Sequence, residues 1–285
     1  MNYRHAFHAG NFADVVKHVA LTRILVYLQD KPAAFRVIDT HAGAGLYDLT
    51  GDEATRGGEW RTGIARLMQA RFSDEVRALV APYLDIVRAF NPGRDLVAYP
   101  GSPLIARALL RPQDSLVACE LEPKARRQLI DALRRDEQAR VVDLDGWMAL
   151  TAFVPPKERR GLVVIDPPFE SRAEFERLAS GFAAAHAKWP TGVYLLWYPL
   201  KERRAAETLA ARVAAVANVG GEAKCLRVEF SVAPQTPEAG LVSAGLLIVN
   251  PPWTLAGEMK AILHQLEKPL GLGGAGRFRI DTVGG

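Results

Sequence analysis

The sequence is poor in cysteine and has no long apolar run. Its 285 residues include two cysteines, Cys119 and Cys225, each within a short apolar segment. Such a position suits a reduced, buried thiol better than a crosslink, so we expect no disulfide framework and a reducing, cytoplasmic setting. No stretch reaches the roughly 18 uninterrupted apolar residues of a membrane span, and the start, MNYRHAFHAG, has no apolar signal core. We therefore predict a soluble protein without a membrane partner.

The sequence also lacks a strong charge bias and any internal repeat. The formal net charge is +4 and the pI is about 9.1, which permits a polyanionic partner but does not require one. Arginines recur at Arg56, Arg61, Arg66, Arg71 and Arg77, a pattern that a solvated helix face also explains. Charge alone therefore assigns no nucleic-acid function.

Short apolar runs rich in Val, Ile and Leu alternate with helical patterns, which is typical of a mostly parallel sheet covered on both faces. The predicted strands are residues 35–40, 115–121, 140–143, 161–166, 192–198, 224–233 and 241–250. The segment PQTPEAG between the last two is too short for a helical crossover and predicts an antiparallel hairpin at one edge of the sheet. The pattern therefore predicts a doubly wound α/β fold with a seven-stranded sheet.

The gap of about 75 residues between the first two strands is longer than one crossover requires. Within it, residues 59–71 and 74–90 have the pattern of amphipathic helices. We interpret residues 46–95 as a small inserted helical subdomain. The main domain then comprises residues 1–45 and 96–285, with residues 1–20 as an N-terminal arm. An extended crossover is the alternative interpretation.

Three predicted strand ends carry residues suited to a ligand. The first strand runs into DTHAGAG, where Gly43 and Gly45 allow a tight turn, and we predict a cofactor contact at Gly43. The turn lacks the third glycine of a dinucleotide fingerprint and the lysine of a phosphate loop, which favours a nucleoside ligand without phosphates. Glu120 ends the second strand and either binds a ribose diol or merely terminates the strand. Asp145 and Gly146 follow the third strand and either bind an adenine edge or cap a helix.

The fourth predicted strand ends in VVIDPPF, an apolar run followed at once by a carboxylate, two prolines and an aromatic ring. The exocyclic amine of adenine is a poor nucleophile because its lone pair is delocalised into the ring. Acceptors for its two hydrogens, the Asp166 carboxylate and the Pro167 carbonyl, would stabilise the positive charge that develops on nitrogen. The prolines make the backbone rigid, and Phe169 offers a face for stacking of the base. The segment therefore predicts amine methylation, with Asp166, Pro167 and Phe169 as catalytic residues.

A second proline pair, NPPW at residues 250–253, ends the seventh predicted strand. We expect that strand to run antiparallel to the others, which places its end at the edge of the sheet opposite the glycine turn. We therefore interpret NPPW as structural.

The N-terminal segment combines basic and aromatic side chains: Tyr3, Arg4, His5, Phe7 and His8. Such a surface suits base stacking and phosphate contact, and a packed helix start is the alternative. The two histidines have no cysteine or carboxylate cluster beside them in the sequence, so we predict no metal site.

These motifs together resemble known methyltransferases. The tetrapeptide DPPF fits the signature of amino-group methyltransferases that use S-adenosylmethionine, and the strand pattern resembles their class I Rossmann-like fold. More narrowly, YRHAFHAGNFADVVKH, DTHAGAGLY, YPGSP, Glu120, DGW and DPPF resemble the bacterial 23S ribosomal RNA adenine-N6 methyltransferase family over essentially the whole chain. The resemblance implies methylation of an adenine N6 in protein-free or early-assembly 23S ribosomal RNA by a cytoplasmic monomer, with S-adenosylmethionine as cofactor.

The resemblance also implies roles for particular residues. Implied cofactor contacts are His18, His41, Ser102, Glu120, Asp145, Gly146 and Asp166. Asp166 is also catalytic. Tyr3 matches a tyrosine associated with substrate RNA, and Arg4 and Lys17 are further candidates for RNA contact. Phe169 replaces the usual tyrosine, which keeps stacking but loses any contact of a phenol hydroxyl.

Two other functions are compatible with parts of the pattern. A DNA adenine-N6 methyltransferase is one, because DPPF does not distinguish the polymer. A non-catalytic RNA-binding protein of the same fold is the other, although such a protein has no need of Asp166 and the cofactor-facing residues.

Overall fold

The computed structural model of the protein describes residues 4–134, 136–171, 173–218, 222–237 and 239–284. Tyr3, predicted to contact RNA, lies outside the described residues. None of the helices in these ranges is long and apolar enough to cross a membrane.

The helices are α1 (Phe12–Gln29), α2 (Asp52–Gly57), α3 (Ile64–Gln69), α4 (Asp74–Ala89), α5 (Ser102–Ala108), α6 (Pro123–Ala132), α7 (Gly146–Ala152), α8 (Ala173–Lys188), α9 (Arg203–Ala217) and α10 (Leu255–Leu270). Short 3₁₀ turns occur at His5–Phe7, Glu59–Arg61 and Leu272–Gly274. The strands are β1 (Arg36–Asp39), β2 (Leu46–Asp48), β3 (Ala98–Pro100), β4 (Ser115–Cys119), β5 (Ala139–Val142), β6 (Gly161–Ile165), β7 (Val193–Pro199), β8 (Cys225–Ser231), β9 (Ser243–Val249) and β10 (Arg277–Thr282).

Eight of the described strands form one sheet in the order β10-β8-β9-β7-β6-β1-β4-β5. The strands from β5 to β7 in this order are parallel, and β9 runs antiparallel between β7 and β8. This topology confirms the predicted class I Rossmann-like fold and the antiparallel pairing of β8 with β9.

The predicted strand count and the position of the hairpin were wrong. The sheet has an eighth strand, β10, which pairs with β8 and leaves the hairpin inside the sheet. This strand alternates arginine and aspartate with apolar residues, so it lacks the continuous apolar run of the buried strands. Its polar side chains are bound by ion pairs, among them Arg227 of β8 with Asp281 at 2.6 Å.

Helix α1 is buried on nearly every side, because it packs between the sheet, α4, α5 and α10. Fourteen of its 18 residues are buried, including Asp14, Lys17 and His18 near its start. Its first turn therefore brings polar side chains into the interior beside the sheet. Such groups must find partners there, because an unpaired buried charge is costly.

The inserted segment differs in part from the predicted pair of helices. Residues 59–71 contain a 3₁₀ turn and α3 instead of one helix, because Gly63 separates them, and the amide of Ile64 donates to the carbonyl of Gly10 at 2.8 Å. The second predicted helix is α4, which continues through Pro82. Both α3 and α4 pack in the same hydrophobic cluster as α1 and α10. The division into two domains stays a prediction.

The NPPW segment lies where its structural interpretation requires. The Asn250 side-chain amide donates to the carbonyl oxygens of Pro190 and Gly192 at 2.8 and 2.7 Å, just before β7 begins. This is the amino end of the parallel strands, opposite the edge where DTHAGAG follows β1. The predicted placement of NPPW is confirmed.

Gly161, the first residue of β6, offers a direct test of the packing of β6 against β1. A Cβ at Gly161 would lie 1.9 Å from the carbonyl oxygen of Arg36 in β1. We expect Gly161→Ala to lower the free energy of unfolding by about 3 kcal/mol or more in urea denaturation. As a control, Gly257→Ala in α10, where a Cβ has open space, should raise it by about 0.5 to 1 kcal/mol. A Gly161→Ala protein as stable as wild type would contradict the strand contact.

Candidate active site

A cleft of about 730 Å³ opens at the carboxyl ends of β1, β4, β5 and β6. The structure brings together there all of the predicted cofactor residues: His18, His41, Gly43, Ser102, Glu120, Asp145, Gly146 and Asp166. Arg4, Lys17 and Pro167 also line it. Carboxyl ends of parallel strands meet at one edge of a sheet, which is why residues so distant in sequence share a cleft.

Glu120, which follows β4, is held by two backbone amides. The amide of Gly43 donates to Oε2 at 2.8 Å, and that of Glu122 donates to Oε1 at 2.7 Å. Each oxygen keeps a second lone pair for a ligand. Burial raises the pKa of Glu120 despite these bonds. A Cβ at Gly43 would lie 2.3 Å from the Tyr47 hydroxyl, so the turn requires glycine.

Asp145 and Gly146, at the start of α7, form another part of the cleft wall. The Asp145 Oδ1 atom accepts hydrogen bonds from the amides of Trp147 and Met148 at 2.9 and 3.3 Å, so Asp145 caps α7, and its contact with an adenine edge stays a prediction. A Cβ at Gly146 would lie about 2.5 Å from the His41 ring, so glycine allows α7 to begin against that ring. Burial lowers the pKa of His41 to about 4, which leaves the imidazole neutral at pH 7.

Ser102 is positioned from behind by Asp39. The segment YPGSP ends β3 and begins α5, and the amide of Gly101 donates to the carbonyl of Gly45 at 2.7 Å. The Ser102 hydroxyl donates to Asp39 Oδ2 at 2.6 Å, and Oδ1 has no hydrogen-bond partner among the described residues. Because its proton is committed to Asp39, Ser102 meets a ligand as a hydrogen-bond acceptor. Burial raises the pKa of Asp39 to about 6.

A buried chain of charges joins α1 to the end of β6. Lys17 Nζ donates to Asp166 Oδ2 at 2.5 Å and to Asp14 Oδ1 at 2.9 Å. Asp14 Oδ2 accepts from His5 Nε2 and from the amide of Gly10, both at 2.9 Å. Burial works against the charge on Lys17, but the Asp14 and Asp166 carboxylates hold its pKa well above the usual value. Burial likewise opposes the charge on Asp14, yet His5 and Lys17 hold its pKa well below the usual value.

Sequence reasoning missed Asp14. It also placed His5 and His8 on a basic and aromatic surface, with a packed helix start as the alternative, and in the structure they contact the carboxylates of Asp14 and Glu59. Among the described residues no group of His, Cys, Asp and Glu is arranged to hold a metal ion. The available signal was Asp14 and Lys17 three residues apart in a mostly apolar helix, a spacing that puts both on one face.

Phe169 is the one predicted catalytic residue that does not line the cleft. Its ring packs edge-on against Phe175 and Trp197, with centroid distances of 4.9 and 5.6 Å. Its φ of 49° lies in the left-handed region, which turns the chain sharply after the two prolines. Base stacking on Phe169 stays a prediction.

The chain also matches known proteins. A family model described as Ribosomal RNA large subunit methyltransferase D, RlmJ, matches residues 32–283. The chain belongs to this family. Two curated relatives, each called ribosomal RNA large subunit methyltransferase J, are 40% identical over 283 residues in Escherichia coli and 36% identical over 284 residues in Haemophilus influenzae. Each match covers 99% of this chain and 99% of the relative.

A crystal structure of a Legionella pneumophila protein is similar as well, with a TM-score of 0.88 and 33% identity over 97% of this chain and 99% of that one. Membership of the family confirms the predicted resemblance and the predicted enzyme class, a methyltransferase. A methyltransferase requires a methyl donor, and the cleft is where the predicted donor-binding residues meet.

Asp39 gives a pH-dependent test of the site. Its folded-state pKa of about 6 lies above the ordinary 3.8, so between these pH values the folded protein holds a proton that the unfolded chain has lost. The cost of burying the charge is absent below pH 3.8 and complete above pH 6. We expect Asp39→Asn, which keeps an acceptor for Ser102, to gain stability over wild type as pH rises through this window, by about 3 kcal/mol.

Urea unfolding of the ligand-free proteins from pH 4 to 7.5 measures this difference. Asp131→Asn, at an exposed position of α6, is the matched control and should follow wild type. A stability difference between Asp39→Asn and wild type that does not change with pH would contradict the assignment.

Proposed function

We propose that the protein methylates the N6 amine of an adenine in 23S ribosomal RNA with S-adenosylmethionine as donor. The observation that carries the proposal is the position of Asp166 and Pro167 at the end of β6, in one cleft with Glu120, Asp145 and Ser102. The residues suited to activating an amine therefore lie in the same cleft as the residues suited to binding a nucleoside.

The residues of the cleft fit S-adenosylmethionine. Glu120, with both oxygens held in place, suits the ribose diol, and Asp145 with Gly146 suits the adenine edge. His18 Nδ1 is hydrogen-bonded to the Tyr99 hydroxyl at 2.7 Å, whereas its buried Nε2 has no partner among the described residues. That nitrogen and the Ser102 hydroxyl suit the polar methionine end. When bound, the cofactor supplies an electrophilic methyl group on a sulfonium.

The protein's own contribution is positioning and charge stabilisation. The Asp166 carboxylate and the Pro167 carbonyl accept the two amine hydrogens of the target adenine, which favours pyramidal nitrogen and stabilises its developing positive charge. The methylated nitrogen then loses one of these hydrogens as a proton, to Asp166 or to water. Lys17 holds Asp166 through Oδ2, which leaves Oδ1 to the amine. The target base leaves its stack to reach this cleft.

One feature favours RNA over DNA. The curated relatives are named for the RNA of the large ribosomal subunit, whose large RNA in bacteria is 23S. Exposed cationic side chains also line the cleft, at Arg4, Arg56, Lys124 and Arg177, which suits the phosphates of either polymer. We further propose that the protein acts as a monomer in the cytoplasm, on protein-free or early-assembly RNA.

Labelled cofactor offered with unmodified 23S transcript, 16S transcript and matched DNA tests the substrate. We expect label in 23S RNA alone, at adenine N6 by mass spectrometry of the digested nucleosides. Label in DNA only would replace the proposal with a DNA methyltransferase. Failure to bind S-adenosylmethionine in calorimetry would favour a non-catalytic RNA-binding protein.

Asp166→Ala tests the chemistry. Because the substitution removes an acceptor for the amine, we expect methylation to fall by at least about 100-fold while circular dichroism shows the fold unchanged. Asp143→Ala, at an exposed carboxylate that follows β5 outside the cleft, should keep its activity. Turnover near the wild-type rate in Asp166→Ala would reject the assigned role.

A further inference from the structure

The N-terminal segment, residues 4–14, rests against the inserted segment as well as over the cleft. Three of its side chains bind carboxylates of the insertion. Arg4 donates to Glu53 at 2.7 Å, and His8 contacts Glu59 at 2.9 Å. Asn11 also donates to Glu59, through its side-chain amide at 2.9 Å. Glu59 is thus bound by two residues of the segment that begins α1.

The backbones of the two segments touch directly. A Cβ at Gly57 would lie 2.1 Å from the Phe7 carbonyl oxygen, and one at Gly63 would lie 2.1 Å from that of Gly10. No side chain fits between the chains at these two points. The contact is therefore close enough for the insertion to determine where the N-terminal segment lies.

Asn11 connects Glu59 of the insertion to helix α1. It is the N-cap of the helix, and its Oδ1 accepts from the amide of Asp14 at 2.9 Å. The Asp14 carboxylate binds Lys17, and Lys17 binds Asp166. An unbroken series of hydrogen bonds and ion pairs therefore runs from Glu59 in the insertion to the carboxylate at the reaction centre.

We propose that Glu59 is a positioning residue for methyl transfer. It holds Asn11 and His8, which sets the first turn of α1 and places Lys17 against Asp166. The role of the inserted segment in this account is to support the N-terminal segment beside the cleft. This inference rests on the function proposed above.

Two substitutions at Glu59 separate positioning from simple stabilisation. Glu59→Ala removes both bonds, so we expect kcat at saturating RNA and cofactor to fall about 10- to 100-fold, with cofactor affinity by calorimetry within about twofold of wild type. Glu59→Gln keeps an acceptor for Asn11, and its side-chain amide can donate to the neutral tautomer of His8, so its kcat should stay within about threefold of wild type. All proteins are assayed at least about 15 °C below their melting temperature, so that each is folded.

A double-mutant cycle tests the route through Asn11. If both residues act through one contact, Glu59→Ala combined with Asn11→Ala should be no slower than the slower single variant. Glu75→Ala, at an exposed position on α4 of the same insertion, should keep the wild-type kcat. Additive losses in the double variant would overturn the shared route.

The remaining outcomes are distinguishable from failure of the proposed function. If the wild-type protein is active and Glu59→Ala has the same kcat, the inference is overturned and the proposed function stands. The same holds if Glu59→Ala only raises the KM for RNA. A wild-type protein that methylates no adenine would reject the function itself.

Discussion

The buried ammonium of Lys17 between two carboxylates is the interaction on which the site depends. Taking a lysine and two aspartates out of water costs several kcal/mol for each ion, and mutual attraction offsets this only when the geometry is close. Distances of 2.9 Å to Asp14 and 2.5 Å to Asp166 meet that condition. The pair with Asp166 also joins two parts of the chain 149 residues apart, so α1 must be docked for the β6 end to be complete.

The packing around α1 serves this requirement. A helix with 14 of its 18 residues buried is held between the sheet and α4, α5 and α10, and its first turn is capped by Asn11. The inserted segment supplies α4 and the carboxylate of Glu59. Fold and site are therefore not separable: the elements that bury α1 are also those that place Lys17 at the cleft.

Much of the fold was predictable because its signals are local. Continuous apolar runs indicate buried parallel strands, and a short connection allows only antiparallel pairing. The strand β10 was not predicted, because its alternating arginines and aspartate are typical of an exposed segment. Their ion pairs with Arg227 and Glu207 appear only in the folded structure. The edge-on contacts of the Phe169 ring with Phe175 and Trp197 could not be predicted either, because they join residues from different elements.

The sequence by itself determined the parallel strands, the glycine turn and the edge at which Glu120, Asp145 and Asp166 meet, because residues that follow parallel strands share one edge whatever the details of packing. Only the tertiary structure decided which buried charges are paired. The contacts of Lys17 with Asp166 and of Asn11 with Glu59 depend on distances set by how α1 packs against the sheet and the insertion. Ion pairs and hydrogen bonds act over a few ångströms, and no periodicity in a sequence encodes such a distance.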